Sequence, residues 1–162
     1  MESASGLPEH ALLSLLRKRH ASGEPYAWLD HDCLLSVNPG RPLPSLYGRS
    51  RVAAAAAAPS TSDDAPHIFA LAESAARRAA RGEVAYIVVA GESGAGKTEA
   101  AKLLLLHLLH RVEHGDDDAE LTELRSRLVL CRAALEPFTH ASGAANANAS
   151  RAVVATRVWL EP

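Results

Sequence analysis

The run from Val88 to Lys102, VVAGESGAGKTEAAK, restricts the fold more than any other stretch of this 162-residue chain. It is preceded and begun by VAYIVVA, Val84 to Ala90, which is rich in β-branched residues and almost wholly apolar. Such composition suits a strand covered on both faces. A helix-forming run follows the glycines, so a strand, a short turn and a helix succeed one another. That order predicts an α/β fold with a parallel sheet flanked by helices. Between strand and helix, Gly91, Glu92, Ser93, Gly94, Ala95, Gly96, Lys97 and Thr98 satisfy G-x-x-x-x-G-K-T. Glycines let consecutive amides turn toward one anion, and lysine adds a positive charge. Thr98 opens the helix, where its hydroxyl is placed to ligate magnesium and the positive end of the helix dipole faces phosphate. The expected ligand is a polyphosphate. Spacing alone leaves an ATPase, a GTPase and a small-molecule kinase open, since all three use such a cradle. Compact kinases usually carry it near the start of the chain, and here 90 residues precede Gly91.

The bulk properties limit the alternatives. A formal charge of −2 with interspersed signs provides no broad basic field for nucleic acid or anionic lipid. Hydrophobic residues make up 48% of the chain but aromatics only 4%, so each buried position covers little apolar area and the core is expected to be thin. No apolar run approaches the roughly 20 residues of a membrane span, and MESASGLPEH lacks the basic start of a signal peptide. Cys33 and Cys131 have neither metal spacing nor a C-x-x-C partner and read as reduced thiols of a cytosolic protein.

Along the chain, Pro8 opens an expected helix in PEHALLSLLRKRH, and CLLS begins a short strand that Asn38, Pro39, Gly40, Pro42 and Pro44 break into a rigid loop. The alanine run after Arg51 reads as a surface helix. PHIFALAESAARRAARGE predicts an amphipathic helix with Ile68, Leu71, Ala72, Ala75 and Ala76 on one face, ending near Gly82. TEAAKLLLLHLLHRVEH is apolar nearly all round and is expected to lie deep against the sheet. GDDDAE is read as a charged loop, ELTELRSRLVLCRAALEPF as a helix, THASGAANANAS as a small-residue loop and AVVATRVWL as a final strand. His107, His110 and His114 with Asp116 to Asp118 are read as helix-end imidazoles beside a solvated acidic loop rather than as a metal site.

Five segments in order carry a family resemblance. GESGAGKT followed by Glu99 resembles the phosphate loop of the myosin motor domain. LLSVNPGRPLPSLYG, Leu34 to Gly48, resembles the myosin purine-binding segment, with Asn38, Pro39 and Tyr47 matching. PHIFALAESA resembles the helix before the phosphate-loop strand. ALEPF is similar to the L-E-x-F segment, and counting onward from Phe138 brings Asn146, Asn148, Ser150 and Arg151 into register with N-x-N-x-S-R, the switch I of myosins. The resemblance therefore implies a P-loop NTPase-like partial sheet flanked by helices, an incomplete motor domain of an unconventional or divergent myosin heavy chain over residues 1–162, with a purine loop at 34–48, a phosphate loop at 91–98 and a switch I-like segment at 146–153.

By this resemblance ATP and Mg2+ are the ligands. Asn38, Pro39 and Tyr47 stand on the adenine side, Gly91 to Thr98 with Asn146 and Asn148 on the phosphates, Thr98 and Ser150 on magnesium, and Lys97, Ser150 and Arg151 in the catalytic positions. An actin filament is the implied partner, and a cytoplasmic, cytoskeletal location the implied setting. The switch II glutamate that pairs with the switch I arginine, and the actin-binding region, belong to parts of a motor beyond this stretch. The resemblance runs from about Leu7 to Leu160 and covers a motor's first part, expected in a fragment, truncated product or remnant. Where switch I reads S-S-R-F-G, this chain has Ala149, Ser150, Arg151, Ala152 and Val153, and Thr139 and His140 replace glycine and asparagine after Phe138. These departures imply an alternative: a degenerate myosin that binds nucleotide without hydrolysis or motility.

Overall fold

A computed structural model describes residues 4, 6–57, 65–112, 127, 130–131, 140–143 and 146–150. The chain divides into two compact units, Met1–Ile87 and Val88–Pro162.

In the first unit, α1 spans Glu9–Ala21 behind Pro8, whose fixed φ suits the entry to a helix. Lys18, Arg19 and His20 occupy its last turn, where cations favour the carbonyl end. The helix packs against strand β1, Tyr26–Asp30, yet it has no fully buried residue. Leu12, Leu15 and Leu16 are half-covered, so the expected packing face is right in position and shallow in depth. β1 pairs antiparallel with β2, Cys33–Ser36, in the register Tyr26↔Ser36, Ala27↔Leu35 and Trp28↔Leu34, with an irregularity between Trp28 and Asp30. Val37 N–H donates to Pro25 O at 2.8 Å and extends the pairing, and Ala4 N–H donates to Trp28 O at 3.0 Å from the other side. The sequence reading had anticipated β2 but not β1. Its signal was the alternation in YAWL followed by the short turn at His31 and Asp32.

After the proline-broken loop, a 3-10 turn at Pro44–Leu46 leads to α2, Arg49–Ala57, which packs on α3, Ile68–Ala80. α3 buries Ile68, Phe69, Ala72, Glu73 and Ala76. Leu71 and Ala75, expected on that face, are half-buried, because the face is centred on Phe69 instead. Glu73 is tolerated inside because Arg77 Nε donates to its Oε1 at 2.7 Å, one helical turn on. Arg77 Nη2 also donates to Ala56 O at 3.4 Å, tying α3 to the carbonyl end of α2. Gly82, at φ +80°, ends α3 as its position predicts. Beyond it Glu83 accepts from Arg81 and Arg78, and these hydrogen bonds hold its carboxyl below the usual range.

The stretch Val84 to Ala90 corrects the sequence expectation. It is not part of a sheet, and its side chains alternate between exposed and half-covered, with Val84 73%, Tyr86 86% and Val88 85% exposed. A strand exists as part of a ladder, and among the described residues no strand pairs with this segment. The parallel sheet is accordingly not seen. The two sheets among the described residues are antiparallel pairs.

In the second unit α4, Lys97–Val112, follows the glycine turn as predicted. It buries Leu104, His107 and Leu109 and leaves its other apolar positions between Ala100 and Leu108 half-covered, less deeply placed than an all-round apolar helix would be. The second correction concerns THASGAANANAS. Rather than a loop, it contributes β3, His140–Gly143, and β4, Asn146–Ser150, paired antiparallel with His140↔Ser150, Ala141↔Ala149 and Gly143↔Asn146. Small residues have low strand propensity, but pairing supplies backbone hydrogen bonds that composition does not reveal. The expected GDDDAE loop and AVVATRVWL strand lie outside the described residues, as does all of the ELTELRSRLVLCRAALEPF helix apart from residues 127 and 130–131, which are helical.

Candidate functional site

The residues matched to the phosphate loop form a turn directly before α4. Gly91 adopts φ +154°, Gly94 +82° and Gly96 +91°, all backbone states that side chains oppose. At Gly91 the constraint is double: a Cβ there would lie 3.1 Å from the Cβ of Ala95. Ala95 N–H donates to Glu92 O at 3.2 Å to close the turn, and Ala100 N–H donates to Gly96 O at 2.9 Å as the helix starts. Residues 91–95 are exposed.

Lys97 folds back over this turn. Its ammonium donates to Gly91 O at 2.8 Å and to Glu92 O at 2.7 Å, pinning the loop's entry to the first residue of α4. An ammonium has three donors, so the third remains to meet an anion. Thr98 is exposed in the first turn of α4 beside Glu99. Glu99 accepts from Lys102 at 2.7 Å on the open face of the helix, a surface ion pair in keeping with its position near the helix start. A turn in which a Cβ at Gly91 would crowd Ala95, with a cation drawn over it and a hydroxyl at the helix start, is compatible in its chemistry with a magnesium-bound polyphosphate.

The segment matched to purine binding is built quite differently. Asn38 Oδ1 accepts from Gly40 N–H at 3.0 Å, which shapes the turn through Pro39. Pro39, His20, Gly23, Pro25, Arg41 and Leu43 line a depression of about 10 Å³, the size of a single water. Tyr47 is half-buried. Its hydroxyl shares a 2.9 Å hydrogen bond with that of Tyr26, and its ring centroid lies 6.1 Å from that of His67 and 6.2 Å from that of Phe69. Burial, then the bond to Tyr47, pushes the Tyr26 hydroxyl well above the ordinary tyrosine range.

His67 completes this cluster. Its Nδ1 accepts from Phe69 N–H at 3.1 Å and caps α3, while Nε2 lies 3.1 Å from Leu46 O. Sequence reading gave neither His67 nor Tyr26 a role. The signal for His67 was its place directly before a helix-forming run, where an acceptor side chain caps.

Of the switch I positions, Asn146, Asn148 and Ser150 fall at alternate positions of β4, while Arg151 lies outside the described residues, as do Ala152 and Val153.

The family described as Myosin head (motor domain) matches residues 1–153. Unconventional myosin ID of Drosophila melanogaster is 34% identical over 137 residues, covering 84% of this chain and 13% of that protein. Myosin-6 of Arabidopsis thaliana is 36% identical over 146 residues, 90% of this chain and 9% of that protein. Unconventional myosin-Ia of Gallus gallus is 34% identical over 146 residues, 90% of this chain and 13% of that protein. The chain spans about a tenth of the length of these curated relatives. A match across nearly all of its residues, at this level of identity, means that the chain belongs to the myosin motor-domain family.

Proposed function

We propose that the chain is the ATP-binding, N-terminal portion of a myosin-type actin-based motor ATPase with a P-loop NTPase-like core. The observation that carries this reading is the turn at 91–98: three glycines in side-chain-averse conformations, with Lys97 drawn over the carbonyls of Gly91 and Glu92. In this role the amides of Gly91 to Thr98, with Lys97, hold the β- and γ-phosphates, and Thr98 and Ser150 supply hydroxyls to magnesium. Asn146 and Asn148 reach the phosphates, Arg151 closes the site, and Asn38, Pro39 and Tyr47 border the base. Magnesium, when bound, neutralises charge developing on the transferred phosphoryl group. The chain's own contribution is positioning: the glycine backbone lets amides approach the phosphate oxygens, and Lys97 adds a positive charge held over the turn. Family membership extends the reading to actin as partner and the cytoskeleton as setting.

Ala149, Ala152 and Val153 favour a second reading, nucleotide binding without turnover. Titration with a fluorescent ATP analogue and Mg2+ tests the first step. Binding is expected for the unaltered chain, and Lys97→Ala should weaken it by about tenfold to a hundredfold, the worth of a charge-assisted hydrogen bond. Equal affinity in the two proteins refutes the phosphate site. Phosphate release with actin filaments, measured on a chain that also carries the switch II and actin-binding parts of a motor, then separates the readings, since binding with no release selects the second.

A further inference from the structure

His67 joins two elements through one imidazole. Nδ1 accepts from Phe69 N–H, which requires a lone pair there, so the ring proton sits on Nε2 and is donated to Leu46 O. Both nitrogens are thereby consistent with a single neutral tautomer. The ring centroid lies 4.6 Å from Phe69, 5.3 Å from Tyr26 in an edge contact, and 6.1 Å from Tyr47. Leu46 closes the 3-10 turn and Tyr47 is the next residue. One side chain therefore fixes the backbone directly before Tyr47, packs against the Tyr47 ring, and caps the helix on which Phe69 is buried.

We propose that His67 is a positioning residue for the purine-side loop, and that protonation of its ring loosens Tyr47 and lowers affinity for the base end of an adenine nucleotide while the grip on its triphosphate persists. This rests on the reading that Tyr47 borders the base.

The added proton has to go to Nδ1. That nitrogen would then present N–H to the N–H of Phe69, removing the cap and placing a positive charge at the positive end of the α3 dipole. Among the described residues, the titratable side chains whose rings pack against it are Tyr26 from β1 and Tyr47 from the loop. Further along α3, Glu73 is engaged by Arg77.

The test compares ATP with inorganic tripolyphosphate, each with Mg2+, between about pH 7.5 and pH 5.5, where imidazoles titrate. The proteins are the unaltered 162-residue chain and His67→Asn, which keeps an acceptor for the helix cap, cannot titrate and is too short for Leu46 O. ATP affinity of the unaltered chain should fall by about five- to tenfold more than its tripolyphosphate affinity over this range, the scale of one lost hydrogen bond. In His67→Asn, ATP binding should be weaker at pH 7.5 and the extra fall absent. An equal extra fall in His67→Asn, or none in the unaltered chain, overturns the proposal. If tripolyphosphate binds but ATP gains nothing over it at pH 7.5, the purine-side reading fails and the proposal with it. If neither ligand binds, the nucleotide reading fails, and the His67 geometry is judged by nitrogen NMR of the ring and by exchange of the Phe69 amide. A proton on Nδ1 at pH 7.5, or Phe69 protection that is unchanged at pH 5.5, overturns the latch.

Discussion

The two loops assigned to nucleotide are shaped by opposite means. The purine-side loop is held by side chains: Tyr47 to Tyr26, His67 to Leu46, and Asn38 to the backbone of Gly40. The phosphate loop is shaped by the absence of side chains, with glycine at 91, 94 and 96, and is tightened by one lysine reaching its own carbonyls. The first can be loosened by deleting a contact and the second by adding one methyl group. The first therefore shares its residues with the core of its unit, and damage there appears as lost stability. The second is exposed and adds little to stability, so damage there appears mainly as lost ligand affinity.

The largest effect should come from Phe69→Ala. Phe69 is 1% exposed, the ring against which Tyr47 and His67 both lie. Its loss leaves a cavity beside Tyr47 and His67 and should lower stability by about 3–5 kcal/mol, read from urea unfolding followed by tryptophan fluorescence. With the second tryptophan replaced, Trp159→Phe, Trp28 on β1 and tripolyphosphate binding report the two regions separately. If the comparison is right, the fluorescence transition moves strongly while residual tripolyphosphate binding by the folded fraction keeps its affinity. A loss below about 1 kcal/mol would show that the aromatic cluster is not the support of the purine-side loop.

An intermediate effect of the opposite kind is expected for Gly91→Ala. The new Cβ meets that of Ala95 at 3.1 Å in a backbone conformation that alanine disfavours, a strain of about 1–3 kcal/mol. Because the loop is exposed, it can relax by changing shape. Stability should fall by less than the strain, and affinity for tripolyphosphate by about tenfold. Unchanged affinity alongside a lower melting temperature would reverse the assignment of roles between the two loops.

These differences also decide what could be read from the sequence. The glycine turn and α4 were legible because the constraint is local: φ at Gly91, Gly94 and Gly96 and the start at Lys97 depend on neighbours in the chain. α1, α2, α3 and the Gly82 stop were legible for the same reason. VAYIVVA reads as a covered strand, yet it is largely exposed and part of no sheet among the described residues, since pairing depends on partners that local composition does not specify. β3 and β4 were missed in the reverse sense: alanine, glycine and asparagine announce a loop, yet backbone pairing alone makes them strands. The resemblance supplied Tyr47, but not the cluster around it. That cluster joins Tyr26, Tyr47, His67 and Phe69 over more than 40 positions of sequence, and long-range contacts of this kind leave no periodic trace.

The smallest effect tests one bond of the cluster through its dependence on pH. Tyr26→Phe removes the hydroxyl that bonds Tyr47 and keeps the ring, so stability at pH 7 should fall by about 0.5–1.5 kcal/mol. Burial and the Tyr47 bond raise the folded-state pKa of Tyr26 above the unfolded value of about 10. The folded protein thus retains this proton more tightly than the unfolded chain. The contribution is complete below about pH 10 and declines as pH rises beyond it, because the unfolded chain then gains by ionising. Above that pH the unaltered chain should lose stability faster than Tyr26→Phe, and the gap between them should narrow and then change sign. Melting temperatures measured in parallel from pH 7 to pH 11 follow that gap directly, since tyrosines and lysines common to both proteins cancel in the difference. Parallel curves across the whole range would mean that Tyr26 ionises in the fold as readily as in the unfolded chain, and the side-chain lock on the purine-side loop would then lack its buried member.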